Sequence, residues 1–437
     1  MTNSMLSSAL NHLTALYRRL VNNIAFVPSL IGTSALVLAI VVLYFENRGI
    51  TPRLEENFGF LLVRGTENAR MVLGTIIGSM ISLTVFSFSM VMVVLNRSSD
   101  ALSPRVLPQL VASKTHQVVL GFYMGTIVYS LVLIVNINPD QRIPAFGILL
   151  SMIFAIVSLA LFIYFIHSIS RNIQVDNILE QILRDTTKQM DGLAHADSGT
   201  KSGESPVRFD KAIKIKAKRT GYCRVVNLSG LVVFLARKDY ALYVPVYQGR
   251  FAVLDDTLAF LSGVGVSDDD LDRIARHVYT DDDGDDGYEF HFGLRKISEI
   301  AVKALSPGIN DPGTALRAIR DLTFLFGRYI DVPKYMEYAD KDGEVRAVKK
   351  MPELDVLLEN HLTPIRQYSG GSTEVLFALV DVFDSLFKMT SLSHRDALHE
   401  HFKALRITVQ HDVKNEVDRR RMEVRMDEIS QREDLGV

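Results

Sequence analysis

One uncharged stretch of the chain, residues 71–95, carries a regularly spaced row of hydroxyl side chains. Successive members are separated by four, three and seven positions: Thr75, Ser79, Ser82 and Ser89. On an α-helix, at about 100° per residue, these four positions and Phe86 lie within one narrow arc. Hydroxyl oxygens can replace part of an ion's hydration shell, and an aromatic ring can form a constriction that excludes water. The pattern therefore predicts a helix that lines a narrow path for ions, which Asn68 and Asn96 extend at its two ends.

The same residues have a second interpretation, in which they bring helices close together. Gly74 and Gly78 stand beside the hydroxyl row four positions apart, and Gly121 and Gly125 repeat that spacing in the next apolar stretch. Small residues at this spacing allow two membrane helices to approach closely. Pore lining and helix packing therefore remain alternatives for the row.

A second candidate site is the segment from Ser306 to Pro312, in which turn-forming and capping residues follow one another. Pro307 ends one predicted helix, Gly308 permits a turn, and Asp311 caps the next helix, whose first residue is Pro312. This structural account uses every distinctive residue of the segment.

The segment could also bind a ligand. Backbone N–H groups at the start of a helix attract anions, and oxygen atoms of Asn and Asp side chains can instead hold a cation. The residues leave these two versions open. The candidate ligand-binding residues lie in the segment or within reach of it: Lys303, Ser306, Gly308, Asn310, Asp311 and Arg317.

Other chemistries are not indicated. The single cysteine, Cys223, excludes an internal disulfide. The acidic run at 281–286 lacks the spacing of a calcium-binding loop, and neither a phosphate-binding loop nor a nucleophile motif is present. The last histidines lack the pairing of a zinc-binding helix: His394, His399, His401 and His411. The net charge of −2 gives no indication of nucleic-acid binding. We therefore expect no enzymatic activity, no cofactor, no metal and no nucleic-acid partner.

Four apolar stretches must position the hydroxyl row. Hydrophobic residues make up 48% of the 437 positions and concentrate in the first 170. Each stretch is close to the ~20 residues that a helix needs to cross a bilayer: 24–45, 71–95, 116–137 and 144–167. The last three contain no Asp, Glu, Lys or Arg. Because carriers coupled to an ion gradient usually need a charged group inside the membrane, a passive pore or a simple anchor is favoured.

Basic residues indicate the orientation of the spans. Residues that flank the spans on one side of the membrane are Arg18, Arg19, Arg97, Arg105, Lys114 and Arg171. Since cytoplasmic loops are enriched in Lys and Arg, both termini are predicted to be cytoplasmic. The first external loop, 46–70, disagrees, because it holds four arginines interleaved with glutamates.

The remainder of the chain is predicted to form a cytosolic α+β domain. Residues 171–206 are interpreted as a helical connection that ends in a Gly/Ser-rich linker. Residues 207–262, rich in Val, Ile and Tyr between turn residues, predict a small β-barrel or sandwich with a short helix capped by Asn227. Residues 263–437 predict helices, beginning at the cap Ser267 and ending with one long charged helix from about Ser393 to 430.

Several motifs in matching order resemble the DUF2254 family of uncharacterised bacterial integral membrane proteins. They are Gly78-Ser79-Met80-Ile81, Ser103-Pro104-Arg105-Val106-Leu107, Gln117-Val118-Val119-Leu120-Gly121, Thr220-Gly221-Tyr222, Phe292-Gly293-Leu294-Arg295-Lys296 and Ala304-Leu305-Ser306-Pro307-Gly308-Ile309-Asn310-Asp311-Pro312. The acidic insertion at 281–287 departs from the family pattern. The resemblance implies a bacterial membrane protein and no particular activity.

The combined interpretation is a multi-pass protein of the bacterial inner membrane, with a four-span helical bundle followed by a cytosolic α+β domain. We expect a homo-oligomeric ion channel or channel-like pore, because four helices enclose little of a pore by themselves. The predicted lining is Thr75, Ser79, Ser82, Phe86, Ser89 and Asn96, with the cytosolic domain as regulator. The expected partners are the lipid bilayer, further copies of the chain and a small ion. The alternative is a membrane-anchored cytosolic ligand sensor or scaffold without transport activity.

Overall fold

The structure is a computed structural model that describes residues 25–46, 48, 62–63, 65–101, 114–137, 143–172, 174–194, 212–281, 290–390 and 394–434. The chain divides into two compact units, Met1–Asn177 and Ile178–Val437.

The described part of the first unit contains four long apolar helices: α1 (Phe26–Glu46), α2 (Thr66–Ala101), α3 (Lys114–Val135) and α4 (Ala145–Asn172). Each includes a segment of 21 to 29 residues that is long and apolar enough to cross a membrane. The four predicted spans are thereby confirmed as helices of spanning length and composition. Helix α2 extends beyond its predicted end at residue 95.

Helices α1 and α3 approach each other through glycine. A Cβ atom added to Gly121 would lie 2.7 Å from Ile31 Cδ1 and 3.0 Å from the backbone Cα of Pro28. One at Gly125 would lie 3.3 Å from Ala35 Cβ. The small-residue packing predicted for Gly121 and Gly125 is therefore confirmed, with α1 as the partner helix.

Two charged side chains bind the ends of other helices in the same unit. One carboxylate oxygen of Glu46, the last residue of α1, accepts hydrogen bonds from the backbone N–H groups of Phe146 (2.8 Å) and Gly147 (3.1 Å) at the start of α4. The guanidinium of Arg70 donates to the carbonyl of Ile137, just beyond α3, at 2.7 Å. Both contacts satisfy backbone groups that a helix end leaves without intrahelical partners.

Among the described residues, α5 (Val175–Ala194) begins at the end of the first unit and continues into the second, which contains eight strands and the remaining helices. Beyond α5, the elements to residue 281 are β1 (Ile213–Lys216), β2 (Gly221–Val225), α6 (Leu228–Lys238), β3 (Ala241–Val244), β4 (Phe251–Ala252), β5 (Thr257–Ser262), α7 (Asp268–Ala275) and β6 (Val278–Asp281). Beyond residue 289 they are α8 (Phe290–Ala304), α9 (Pro312–Tyr329), β7 (Tyr335–Ala339), β8 (Val345–Lys350), α10 (Leu354–His361), α11 (Thr363–Tyr368), α12 (Thr373–Met389), α13 (Arg395–Asp412) and α14 (Glu416–Asp434).

The described strands form two open sheets and no closed barrel. One has the order β1-β5-β3-β8-β7, and the other has the order β4-β2-β6. All pairs are antiparallel except β3 with β8, which pair in parallel. Because β6, β7 and β8 follow residue 262, the predicted division at 262/263 runs through both sheets. The α+β character of this part is confirmed, and the barrel version of its β-rich part is corrected.

Two of the predicted helix starts are confirmed. The side chain of Asn227 accepts a hydrogen bond from the backbone N–H of Gly230 at the start of α6. Ser267 and Asp270 form a reciprocal capping box on α7. The single long helix predicted from 393 to 430 is wrong, because the chain forms two helices, α13 and α14. The side chain of Asn415 accepts from the N–H groups of Val417 (2.9 Å) and Asp418 (3.3 Å), which starts the second helix anew.

Some sequence predictions concern residues outside the described ranges. They are the basic residues Arg18, Arg19 and Arg105, most of the loop 46–70, the motif at 103–107, the Gly/Ser-rich linker, most of the acidic run at 281–287 and the cap at Ser393.

Candidate functional site

Three residues of the hydroxyl row, Thr75, Ser79 and Ser82, line a groove on the exposed surface of α2. The groove has a volume of about 700 Å³, and its lining consists of Thr75, Gly78, Ser79, Ser82, Leu83 and Phe86. Four of the six predicted lining residues thus meet in one place. Ser89 and Asn96 are exposed farther along the same helix and do not line the groove.

Two hydroxyl groups of this row donate their hydrogens to carbonyls of the same helix. Thr75 Oγ1 donates to the carbonyl of Met71 at 2.8 Å, and Ser82 Oγ donates to the carbonyl of Gly78 at 3.0 Å. This back-bonding to the preceding turn is common for Ser and Thr in helices. Because a hydroxyl has one hydrogen and two lone pairs, each oxygen can still accept a bond or coordinate a cation.

The two glycine pairs identified in the sequence behave differently. A Cβ atom added to Gly74 or Gly78 would meet no other described heavy atom within 4 Å, whereas Gly121 and Gly125 lie against α1. Within the described part of one subunit, the α2 glycines therefore bring no helix close. They leave a shallow, open surface beside the hydroxyl groups.

An aromatic pair lies at one end of the groove. The rings of Phe86 and Phe162 of α4 pack edge to face, with their centroids 5.8 Å apart and an interplanar angle of 67°. The Phe86 side chain nevertheless remains 51% exposed. The ring is thus supported from inside the subunit and presents its outer side to the groove.

The segment from Ser306 to Pro312 is held by its own hydrogen bonds. The backbone N–H groups of Ile309 and Asn310 donate to the carbonyl of Ser306, at 3.0 and 2.9 Å, and the N–H of Asp311 donates to the carbonyl of Ala304 at 2.8 Å. The residue in the left-handed region is Asn310, with φ 48°, and not Gly308. The predicted turn is therefore present, but its conformational demand falls on asparagine, which tolerates this region better than most residues.

Asp311 caps α9 as predicted. Its carboxylate accepts from the Thr314 backbone N–H at 3.1 Å and from the Thr314 hydroxyl at 2.7 Å. The Thr314 hydroxyl, together with the backbone donors, holds the pKa of Asp311 below its usual range. A carboxylate thus already occupies the helix start where an anionic ligand would bind.

The two flanking basic residues, Arg317 and Lys303, both make contacts close to their own positions in the chain. Arg317 Nε lies 3.2 Å from one carboxylate oxygen of Asp321, which is buried on the same helix. Lys303 contributes its backbone carbonyl, which accepts from Ser306 Oγ at 2.7 Å. The geometry favours the structural interpretation of this segment, and ligand binding by it stays a prediction.

Sequence reasoning missed two residues that line the α2 groove. It also missed the side chain that packs against Phe86. Leu83 was not singled out, and Gly78 was assigned to packing, although it lies one turn before Ser82. The spacing of Gly78 and Ser82 is a signal that places both on one face of the helix. Phe162 lies on another span, and no pattern in one sequence indicates its pairing with Phe86.

Comparisons with known proteins place the chain in a family. The family described as "Predicted membrane protein (DUF2254)" matches residues 21–385. The chain is similar to the uncharacterised protein MT1328 of Mycobacterium tuberculosis, with 27% identity over 344 residues, which cover 75% of this chain and 65% of the relative. An uncharacterised protein of Mycobacterium bovis, Mb1321c, shares 26% identity over the same shares of both chains.

The chain belongs to the DUF2254 family of predicted membrane proteins. It spans 65% of the length of the mycobacterial relatives it matches. No solved structure matches the chain.

Proposed function

We propose that this membrane protein is a homo-oligomeric pore for a small ion, lined by α2 of each subunit and regulated by its second unit. The observation that carries the proposal is the groove along α2. It collects three predicted hydroxyl residues and Phe86 on an exposed surface of a helix that is long and apolar enough to span a membrane. A passive path is consistent with the absence of Asp, Glu, Lys and Arg from residues 71–95.

The hydroxyl geometry favours a cation as the permeating ion. Thr75 and Ser82 donate their hydrogens to carbonyls of their own helix. The oxygen lone pairs of these two side chains therefore remain available to an ion in the groove. Rings of oxygen atoms contributed by several subunits can replace water around a cation. An anion would instead need donors, which these two side chains have already used.

The shape of the groove supports oligomerisation as part of the proposal. It is open at the surface of one subunit, so a single subunit does not enclose a path. Copies arranged around a common axis would place one groove each toward the centre, and closed rotational symmetry is the usual arrangement of membrane pores built from identical chains. Phe86 would then form a ring of aromatic side chains, a constriction of the kind that gates by excluding water.

Helix packing between subunits competes with pore lining as the use of the same surface. The open space beside Gly74 and Gly78 could accept a helix of another copy. A comparison of Ser79→Leu with Val85→Leu separates the two uses, because Val85 is exposed on α2 and does not line the groove. A pore predicts that Ser79→Leu reduces ion flux in proteoliposomes while oligomer size is unchanged. Loss of the oligomer in Ser79→Leu, with Val85→Leu intact, would indicate packing instead.

The orientation is part of the proposal. Basic residues on the loops support a bacterial inner-membrane location with both termini in the cytoplasm. Labelling of an introduced cysteine, Gln431→Cys, by a membrane-impermeant reagent tests it. Labelling in inside-out vesicles and none in intact cells is expected, and the reverse result would place the second unit outside.

A further inference from the structure

Helix α14 carries an exposed stripe with an unusual distribution of charge. Its inner face is anchored by Met422, Met426 and Ile429, all of which are fully buried. The opposite face exposes Val417 by 60% and Val424 by 51%. The two valines and three charged neighbours line a shallow groove of about 510 Å³: Glu416, Val417, Arg420, Arg421 and Val424.

Charges on the exposed stripe change sign at Val424. Arg420 and Arg421 lie on its N-terminal side, and Asp427 and Glu428 lie at matching distances on its C-terminal side. All four are exposed. Around Val424 the stripe is thus basic toward Arg420 and acidic toward Glu428, and Glu416 adds an acidic group at its N-terminal end.

We infer that this stripe binds the same stripe of a second copy, with the two α14 helices antiparallel and a two-fold axis at Val424. In that arrangement each residue lies level with the residue equally distant from Val424 on the other copy. The basic pair Arg420 and Arg421 of one copy then faces the acidic pair Asp427 and Glu428 of the other, and the two Val424 side chains meet at the centre. One surface therefore supplies both halves of a charge-complementary interface.

Other arrangements of the same helix are less complementary. A parallel pair would bring the Arg420 and Arg421 side chains of both copies together, and like charges at such distances repel. The two acidic residues would repel in the same way. Only the antiparallel arrangement turns the sign change into attraction along the whole stripe.

Ion pairs within one copy involve both Asp427 and Glu428 but leave their side chains exposed. Asp427 accepts from Arg406 at 2.5 Å, and Glu428 lies 3.6 Å from Arg425. The Glu428 side chain remains 62% exposed, so it can face Arg420 of a second copy without losing buried contacts. Arg420 and Glu428 are therefore the best residues with which to test the contact.

A contact made by one helix face is small, and exposed ion pairs contribute little each. Copies held in one membrane are, however, already concentrated in a common plane, which raises the effective concentration of one stripe for another. The inference depends on the membrane location and not on pore activity, so failure of either proposal leaves the other intact.

Disulfide crosslinking of the full-length protein in membranes tests the inference. Cys223 is the single native cysteine and is fully buried, so introduced cysteines report on their own positions. Val424→Cys should form a disulfide-linked dimer on mild oxidation in a yield at least about tenfold above Val233→Cys. Val233 is a matched control, because it is 51% exposed on another helix of the same unit.

Three further variants define the geometry. Val417→Cys should crosslink poorly, because antiparallel helices crossing at Val424 would hold the two copies of residue 417 about 21 Å apart along the axis. In the Val424→Cys background, Arg420→Glu should lower the yield, and adding Glu428→Arg should restore it. Yields from Val424→Cys no higher than those from Val233→Cys would overturn the inference. So would equal crosslinking at 417 and 424, which would indicate parallel helices. An unchanged or higher yield after Arg420→Glu would also overturn it, because Arg420 would then make no attractive contact with the second copy.

Discussion

Phe86 of α2 and Phe162 of α4 pack edge to face with their ring centroids 5.8 Å apart. This contact lies at one end of a groove whose other lining side chains are mostly hydroxyls or small groups. It holds one face of the Phe86 ring against the subunit and leaves half of the side chain exposed. In the proposed pore, Phe86 rings packed in this way would narrow the path between copies of the chain.

The two glycine pairs give a first prediction about stability. Gly121→Ala should destabilise the subunit by about 1–3 kcal/mol, because the new Cβ would lie 3.0 Å from the backbone of Pro28, which cannot easily move. Gly78→Ala should leave the thermal stability of the subunit unchanged, since no described atom lies within 4 Å of the added group. Thermal denaturation in detergent checks the pair. Equal losses in both variants would contradict the assignment of the two glycines to different surroundings.

The segment before α9 gives a second prediction. Asp311→Ala should cost about 1 kcal/mol of stability, because the N–H and hydroxyl of Thr314 lose their acceptor. Gly308→Ala is the matched control. It should be tolerated, because Gly308 lies outside the left-handed region and has open space around it. Thermal unfolding midpoints compare the two, and a larger loss from Gly308→Ala would contradict the structural account of this segment.

Buried histidines predict acid sensitivity of the second unit. Burial, with smaller effects of His291 and Arg295, lowers the pKa of His361 to about 3. Since this pKa is below the ordinary histidine value of 6.5, the folded state disfavours the protonated form of the His361 ring. The neutral ring is therefore compatible with full stability above pH 6.5, and stability falls as pH decreases from 6.5 toward 3, by about 1.4 kcal/mol per pH unit for one such group.

His361→Leu should therefore reduce the loss of thermal stability between pH 7 and pH 5. It should not abolish that loss, because burial also lowers the pKa of His291 to about 3. His411→Leu serves as the control, since the His411 side chain is 87% exposed. If the two variants show the same pH dependence, protonation of buried His361 is not the cause of the acid sensitivity.

The sequence predicts the membrane helices well because their requirements are local. Spanning length and the absence of charge are visible in a single stretch, and so is the spacing that puts Thr75, Ser79 and Ser82 on one face. The capping of α4 by Glu46 was not predicted. It joins residues about 100 positions apart, and a carboxylate near a span end has many other uses.

The sheets were predicted incompletely for a related reason. Strand β8 has the sequence Val-Arg-Ala-Val-Lys-Lys, in which basic residues hide the apolar pattern of a strand. It pairs in parallel with β3, a strand about 100 positions earlier, and such pairing leaves no local pattern. The break between α13 and α14, in contrast, does have a local signal in the sequence, because Asn415 is a favourable helix cap.

The most direct test of a pore lined by α2 is cation flux through purified protein in liposomes, compared among wild type, Phe86→Ala and Phe88→Ala. Phe88 is the matched control, because it is 58% exposed on the same helix and does not line the groove. A constriction at Phe86 predicts K⁺ flux several-fold above wild type in Phe86→Ala, wild-type flux in Phe88→Ala and the same oligomer size in all three. Equal flux from the two variants, or no flux from any of the three, would contradict the proposal.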